Sequence, residues 1–373
     1  MTAEENYLAW LRTALWGKSG HCEQPDSHSG LDPESLSAML AIADRQTTRG
    51  LIFDALLRSS ESLTAEMKAR MREFLLQNVI PHEMLDATIA RAVKVLWEAG
   101  IPSVLLKGQS MARNYPNNLL RECGDIDLYI GPERFQEAMR VLSAIADHVD
   151  AKKTEKHREL WLGEAEIELH QYSVLPKARR QERFYRALEA EGLGRNLLPL
   201  NFGGVQVNTP EPTFNAFYLF YHAWIHFQES GLGFRQLCDW TLYLHAHRER
   251  IDRERLRAIL DGMRLLVPWQ LFGCIAVHDL GLPKEEFPGY DEARLEKSRR
   301  TRAMILSEGN FGRYAPTRAQ RPNGYVTGKL HTFLGFIRRL GQLWAFCPHE
   351  AWQNFVYLSA EGIRGVYKDL TKR

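Results

Sequence analysis

Hydrophobic residues recur at intervals of three and four over both ends of the chain, which is the spacing of amphipathic helices. In the N-terminal part this spacing predicts helices over residues 35–58, 65–77 and 81–99, with polar, turn-like residues between them. Helical spacing returns after residue 210, beginning with the aromatic segment 213–228. Both ends of the chain are therefore predicted to be helical.

The middle of the chain follows a different pattern. Residues 103–106 form a short apolar run of strand length, and residues 125–130 alternate polar and apolar residues, which is the period of a strand with one polar face. The elements predicted next are a helix over 133–146 and strands over 148–153, 159–162 and 165–172. This order predicts an α/β (α+β) fold built on a small mixed β-sheet.

Length and composition agree with a globular protein of two or three packed units. The chain has 373 residues, of which 45% are hydrophobic and 25% charged, so a disordered or collagen-like chain is excluded. No segment approaches the ~20 consecutive apolar residues of a membrane span, and we expect no membrane partner. The units predicted are an N-terminal helical region (1–79), a core (80–210) and a C-terminal helical domain (211–373).

The net charge of +2 conceals an uneven distribution. Residues 291–373 carry +8, which leaves −6 for residues 1–290. A basic segment indicates a polyanionic partner such as a nucleotide or a nucleic acid, and a solvated basic helix surface is the alternative. Charge alone does not decide between them.

The N-terminus and the cysteines predict a cytoplasmic protein. Glu4 and Glu5 stand where a signal peptide has basic residues, so we expect no such peptide. The five cysteines are scattered and form no CxxC pair, which argues against a disulfide framework and against zinc. A reducing compartment is therefore expected.

Two carboxylates of the middle region are candidate metal ligands. Asp125 and Asp127 are two residues apart on a predicted strand, so both side chains leave the same face about 7 Å apart. Ile126 and Leu128 point the other way, into the core. Oxygen ligands of this kind bind Mg²⁺, usually together with substrate phosphates. The alternative is a solvated strand edge that ends in a turn.

Lys107 and Gly108 close the preceding predicted strand. Glycine at this place lets the backbone approach a phosphate closely, and a helix after it directs its N-terminal amides at an anion. The pair therefore indicates a phosphate-binding turn. A solvent-facing Lys107 is the alternative.

These features belong to a longer series of motifs. The series consists of Leu105, Leu106, Lys107, Gly108, Tyr115, Pro116, Arg121 and Gly124–Leu128, followed by Ile167, Glu168, Leu169 and His170. In order and spacing it resembles the DNA polymerase β-like nucleotidyltransferase superfamily, and more closely the bacterial family of uncharacterised nucleotidyltransferases. The resemblance covers residues 101–172 and extends more loosely to the helical segment 214–245. Gln109 follows Gly108 where the superfamily has Gly or Ser, and Glu168 stands where Asp is common.

The resemblance implies a role for each site residue. The mixed sheet would form the centre of a nucleotidyltransferase core. In this core Asp125, Asp127 and Glu168 would hold two Mg²⁺ ions, with Mn²⁺ as the alternative ion. Glu168 is also the implied proton acceptor, and Glu166 on the same strand face is the alternative third acid. The implied nucleotide-binding residues are Lys107, Gly108, Ser110 and Arg121. The implied acceptor pocket contains His170, His222, His226 and Asp239.

Several of these residues also have a structural interpretation. Arg121 could form a salt bridge with Glu122 or with an N-terminal helix. The pair His222 and His226 could be hydrogen-bonded residues of a packed core helix, and Asp239 a polar anchor between helices. His157 is interpreted as an ordinary loop residue.

The implied activity is Mg²⁺-dependent transfer of a nucleoside monophosphate from an NTP, with ATP favoured, to an acceptor hydroxyl with release of pyrophosphate. The active site is expected between the core sheet and the C-terminal helices. The acceptor is a small molecule, a peptide or protein, or tRNA. Three alternatives stay open: a toxin-like enzyme acting on tRNA or proteins, a non-catalytic nucleotide-binding module, and a phosphotransferase that moves the γ-phosphate.

Overall fold

The structure is a computed structural model that describes residues 1–17, 32–59, 63–152, 154–229 and 231–310, together with six single helical positions between 327 and 352. Most of the basic C-terminal segment therefore lies outside the described residues. So does most of the predicted C-terminal domain beyond residue 310.

A mixed sheet forms the centre of the described chain. Its strands are β1 (Val104–Leu105), β2 (Ile126–Tyr129), β3 (His148–Val149), β4 (His157–Leu162), β5 (Ala165–His170), β6 (Leu198–Phe202) and β7 (Val205–Thr209). They are arranged in the order β3-β4-β5-β2-β1-β7-β6. Strand β2 is parallel to β5 and antiparallel to β1, while β1 is parallel to β7. The predicted mixed sheet is confirmed.

The hairpin formed by β6 and β7 is not among the predicted elements. It turns at Gly203 and Gly204, which both have positive φ angles. The two strands pair antiparallel, and β7 then adds to β1 through the partners Val104 and Asn208. The sheet is therefore wider than the sequence predicts, because the hairpin extends it on the side of β1.

Helices surround the sheet in the described part of the chain. Those before the sheet are α1 (Ala3–Trp16), α2 (Pro33–Arg45), α3 (Arg49–Ser59), α4 (Ala65–Gln77) and α5 (Val79–Glu98). Those between strands are α6 (Gln109–Ala112), α7 (Phe135–Ser143) and α8 (Arg179–Gly192). Those after the sheet are α9 (Pro212–Glu229), α10 (Phe234–His247), α11 (Arg253–Met263), α12 (Leu266–Cys274) and α13 (Leu295–Glu308). Within these residues no single helix is long and apolar enough to cross a membrane. The bent pair Arg253–Met263 and Leu266–Asp279 reaches the required length and apolar composition only when its two parts are counted together.

The helix predicted over 35–58 is in fact two helices, α2 and α3. The chain turns at Gln46–Thr48, where Thr47 adopts a positive φ of 56°. Gln46 is fully buried, and its side-chain amide donates to the carbonyls of Ile305 and Leu306 on α13. Its side-chain oxygen accepts a hydrogen bond from the amide of Phe234 on α10. The break is thus fixed by partners from the far end of the chain.

Two hydrophobic cores lie on the two faces of the sheet. On one face, Ile126, Leu128 and Ile167 pack with residues of α5 and α7. On the other side, residues of the N-terminal helices such as Tyr7 share one core with residues of α9 and α10 such as Phe217. We call this second core the helical core. Helices from before and after the sheet therefore share this one core. The division of the chain into an N-terminal region, a core and a C-terminal domain stays a prediction.

Candidate active site

Three carboxylates lie together where β2 and β5 run side by side. Asp127 and Glu168 are register partners on these parallel strands, and Asp125 immediately precedes β2. Each of the three offers a carboxylate oxygen, and these oxygens all lie within 4.8 Å of one another. We call this group the carboxylate cluster. The structure thus brings together the three acids that the sequence proposes as metal ligands.

The cluster is on the face of the sheet that is turned toward the helical core. Ile126 and Leu128 belong to the opposite core, whereas Tyr129, which shares a strand face with Asp127, packs against the helical core. The side chain of Asp127 is 1% exposed and that of Asp125 is 37% exposed. The cluster is therefore buried at one end and open at the other, as a site for a bound ligand requires.

Lys107 neutralises part of the negative charge of the cluster. Its ammonium lies 2.9 Å from Asp127 Oδ2 and 3.9 Å from Asp125 Oδ2. The amide of Leu106, which follows β1, donates to the carbonyl of Asp127 on β2 at 3.0 Å. This bond places the next residue, Lys107, beside the cluster. Burial acts to lower the pKa of Lys107, but the nearby carboxylates outweigh it, and its pKa is raised. Lys107 is thus a charged internal partner of the acids.

Gly108 makes this close arrangement possible. Its φ is +68°, a conformation that residues with a side chain rarely adopt. A Cβ atom at this position would also lie 3.0 Å from the carbonyl oxygen of Asp125. The Lys107–Gly108 turn therefore packs against the backbone that carries the cluster. The helix that follows, α6, has four residues.

His170 orients two of the carboxylates. Its Nε2–H donates to Asp127 Oδ1 at 2.9 Å, and Nε2 lies 3.2 Å from Glu168 Oε2. Burial acts to raise the pKa of both acids, yet His170 and Lys107 more than offset it, and the pKa of Glu168 falls to about 2 while that of Asp127 is also lowered. Both carboxylates are thus held in the ionised form that binds a cation. His170 is fully buried within the cluster and does not line an open pocket.

Arg121 and Asp239 pair with each other. Arg121 Nε lies 2.8 Å from Asp239 Oδ1 and Nη2 lies 2.9 Å from Oδ2, in a bidentate arrangement. The Tyr115 hydroxyl also donates to Asp239 Oδ1 at 2.8 Å. The side chains of Arg121 and Asp239 are 6% and 7% exposed. The structure therefore favours the anchoring interpretation of Asp239, and it engages the guanidinium of Arg121 within the protein.

The ion pair belongs to a set of contacts that hold the segment in front of Asp125. The backbone carbonyl of Arg121 lies 2.8 Å from His82 Nε2 of α5. Arg235 of α10 donates to the carbonyl of Glu122 at 3.0 Å, and the Glu122 side chain accepts from the amide of Arg49 at 2.7 Å. Helices from before and after the sheet thus fix the segment that delivers Asp125.

Ser110, a predicted nucleotide-binding residue, is buried. Its hydroxyl donates to the carbonyl of Lys107 at 3.2 Å. The neighbouring Gln109 is also buried, and its amide donates to Asp86 Oδ1 at 2.8 Å. Both side chains stabilise the Lys107–Gly108 turn and are engaged within the protein.

His222 and His226 lie on one face of α9, near the cluster. Their Nε2 atoms are 3.3 Å apart, and the ring of Tyr218 lies 5.9 Å from that of His222. Burial lowers the pKa of both histidines, and the positive charges of Lys107 and Lys156 add to this effect, so that the pKa of His226 falls to about 4. At neutral pH this face of α9 is therefore polar and uncharged.

Two further residues, His157 and Lys156, lie at the cluster, and no sequence motif identifies them. His157 begins β4, where its Nδ1 lies 3.8 Å from Glu168 Oε2, so its interpretation as a loop residue is wrong. With Glu168 and His170 it forms a second group whose ligand atoms lie within 4.8 Å of one another. Lys156 is its neighbour in the chain, and the charges of Lys107 and Glu168 act on its ammonium. Both follow an irregular segment, so neither shares a periodic pattern with the acids.

Comparison with known proteins gives the cluster its context. Residues 32–281 match the model of a family described as uncharacterised nucleotidyltransferase, which is more than half of the chain. The chain belongs to this family. The search of curated proteins gives no match. Among solved structures, the chain is similar to an antigenic nucleotidyltransferase-like protein from Paracoccidioides brasiliensis, with 12% identity and a TM-score of 0.32 over 49% of this chain and 88% of that chain.

The family match includes the whole carboxylate cluster. Asp125, Asp127 and Glu168 fall inside it, as do Lys107 and the α9 histidines, and it ends at residue 281. Membership of the uncharacterised nucleotidyltransferase family supports nucleotidyl transfer as the general reaction and a nucleoside triphosphate as the general substrate. The three carboxylate oxygens could hold a metal ion.

The buried ion pair gives a first testable prediction. Asp239→Ala should lower the free energy of unfolding by about 3–5 kcal/mol, because it leaves the Arg121 guanidinium buried without its partner. The matched control is Glu137→Ala, which breaks an exposed pair with Arg134 in which both side chains are 40% exposed. That change should leave stability nearly unaltered. Urea unfolding of both variants measures the difference, and equal midpoints would contradict an anchoring role for Asp239.

Proposed function

We propose that the protein transfers a nucleoside monophosphate from ATP to an acceptor hydroxyl. The acceptor oxygen forms a bond to the α-phosphorus, the bond from that phosphorus to the β-phosphate oxygen breaks, and pyrophosphate leaves with the bonding electrons. The acceptor proton passes to a base at the site. The observation that carries this proposal is the carboxylate cluster on two parallel strands in a chain of the nucleotidyltransferase family.

The donor set of the cluster fits a hard divalent cation. Asp125, Asp127 and Glu168 offer carboxylate oxygens within 4.8 Å of one another, and such ligands suit Mg²⁺ or Mn²⁺. These ions would supply charge stabilisation for the triphosphate and would lower the pKa of the acceptor hydroxyl. His170 donates to Asp127 and so keeps its second oxygen directed toward Lys107 and the ligand side. The role of Glu168 as a proton acceptor stays a prediction.

Lys107 has two tasks in this proposal. Without ligands, its ammonium lies between Asp125 and Asp127, in the place where a bound cation would compete with it. If cations were held by the carboxylates instead, the ammonium of Lys107 would be available to contact a phosphate oxygen. Positive charge would then offset part of the cluster's charge in both states, which would limit the cost of holding three like charges together.

The uncharged face of α9 is the proposed acceptor side. His222 and His226 present imidazole groups that stay neutral at pH 7, so they recognise an acceptor through hydrogen bonds and not through charge. A small molecule, a peptide or protein side chain, and a tRNA end all carry a hydroxyl that this face can contact. Asp239 and Arg121 would take part indirectly, by fixing the segment in front of Asp125.

Glu168→Gln should weaken metal binding and reduce turnover much more than Glu166→Gln. Glu168 is part of the carboxylate cluster, whereas Glu166, two residues earlier on the same strand face, lies outside the metal-capable groups found among the described residues. Loss of a ligand should weaken Mn²⁺ binding by at least about 10-fold to 100-fold. Electron paramagnetic resonance of unbound Mn²⁺ measures the affinity of each variant for the metal, and the acceptor need not be known. Equal affinities of the two variants would show that Glu168 is not a ligand.

The products distinguish the proposed reaction from its alternatives. With ATP, Mg²⁺ and a panel of acceptors, the wild-type protein should release pyrophosphate, and Asp127→Asn should not. Release of ADP would instead indicate transfer of the γ-phosphate. Binding of ATP without either product over a broad panel would favour a non-catalytic module. Growth arrest on expression, lost with Asp127→Asn, would favour a toxin-like enzyme.

Lys107→Met should change two affinities in opposite directions. Removal of the internal cation should tighten Mn²⁺ binding in the absence of nucleotide by about ten-fold, since a neighbouring charge shifts such equilibria by one unit or more. The same variant should bind Mn²⁺–ATP more weakly, because a phosphate contact is lost. Lys94→Met on α5, where the lysine is 63% exposed, is the matched control and should change neither. Weaker metal binding in Lys107→Met would contradict the proposed exchange.

A further inference from the structure

Lys156 lies beside the strand end that carries the cluster. Its backbone carbonyl accepts hydrogen bonds from the amides of Gln171 and Tyr172, at 2.9 and 3.2 Å. These two residues follow His170, the last residue of β5, so the backbone of Lys156 is fixed next to the site. Its neighbour His157 is the register partner of His170 and reaches Glu168.

Lys156 is half-buried, and it forms no ion pair with a carboxylate among the described residues. Within the described ranges no carboxylate lies at ion-pairing distance from it, in contrast to Lys107. Burial lowers its pKa, and Lys107 lowers it further, while Glu168, Asp127 and Asp125 act in the opposite direction. The charges of the cluster thus act on Lys156, which forms no ion pair with any of its three carboxylates. A half-buried cation that is unpaired within the described part of the chain is suited to bind an anionic ligand.

The other arginine and lysine side chains described at the site, Lys107, Arg121 and Arg235, have partners within the protein. Lys107 is paired with Asp127, and Arg121 is paired with Asp239. Arg235 donates to backbone carbonyls in front of Asp125. His222 and His226 stay neutral. Three carboxylates outnumber the one ammonium that is paired with them, so a further protein cation would help to stabilise a triphosphate bound beside them.

We propose that Lys156 is a phosphate-binding residue that contacts the triphosphate of the bound nucleotide. The inference rests on the proposed nucleotidyl transfer and adds a residue to its site. Lys156 supplies positive charge from the loop in front of β4, a different segment from that of Lys107, so the two lysines hold the polyphosphate chain at two points. The ligand class is a metal-bound polyphosphate, and the nucleoside is not part of the contact.

The test uses Lys156→Met in the full-length protein, with Lys152→Met as the matched control. Lys152 is an exposed lysine of the same loop. The probes are inorganic triphosphate and ATP, each with Mg²⁺, and adenosine alone, in calorimetric titrations. Lys156→Met should weaken triphosphate and ATP binding by about 10-fold or more, the size of a lost charge-assisted hydrogen bond, and should leave adenosine unchanged. Lys156→Arg should retain most of the affinity.

Thermal unfolding without ligand separates a binding role from a structural one. Because Lys156→Met removes a half-buried charge that has no carboxylate partner among the described residues and is opposed by the charge of Lys107, its Tm should equal or exceed that of the wild type. A lower Tm together with weaker binding would mark Lys156 as structural and overturn the inference. So would triphosphate binding equal to the wild type, or an equal loss in Lys152→Met. If the wild-type protein itself does not bind Mg²⁺–triphosphate, the proposed function fails as well.

Discussion

Mutual repulsion of three carboxylates is the constraint on which this structure depends. Asp125, Asp127 and Glu168 are held within 4.8 Å of one another, partly out of water, where like charges repel strongly. The parallel pairing of β2 and β5 forces this proximity, because Asp127 and Glu168 are register partners. Lys107 and the donor Nε2–H of His170 offset the repulsion. The folded protein therefore contains a preformed anionic site whose charge is partly offset by Lys107 and His170.

The helical parts of the chain contribute directly to this site. The segment in front of Asp125 is short and irregular, and it would not hold a carboxylate in place by itself. The buried pair of Arg121 and Asp239 fastens it to α10, and the contact of His82 with the Arg121 carbonyl fastens it to α5. Helices α5 and α10 thus set the position of Asp125, while the sheet sets those of Asp127 and Glu168. Mutations far from the cluster in sequence can disturb it through these contacts.

The sequence predicts the parts of the site that depend on local periodicity. The alternation around Asp127 and Glu168 places both acids on one strand face, and the order of motifs places the two strands in one sheet. The pairing of Arg121 with Asp239 spans 118 residues, and no pattern in either segment specifies it. The break between α2 and α3 depends in the same way on Gln46 and its contacts with α13. Lys156 follows an irregular segment, so only the folded chain reveals its position.

Charge is unevenly distributed around the cluster, and in the proposed reaction this would separate the two substrates. The acids and Lys107 are on the sheet side, so the proposed metal-bound polyphosphate would bind there. The α9 face carries His222 and His226 in their neutral forms and offers no charge to an acceptor. Choice between a small molecule, a protein and tRNA therefore cannot come from charge at this face. A preference for a polyanionic acceptor would have to come from outside this face, and residues 291–373, which carry a charge of +8, are the part of the sequence suited to provide it.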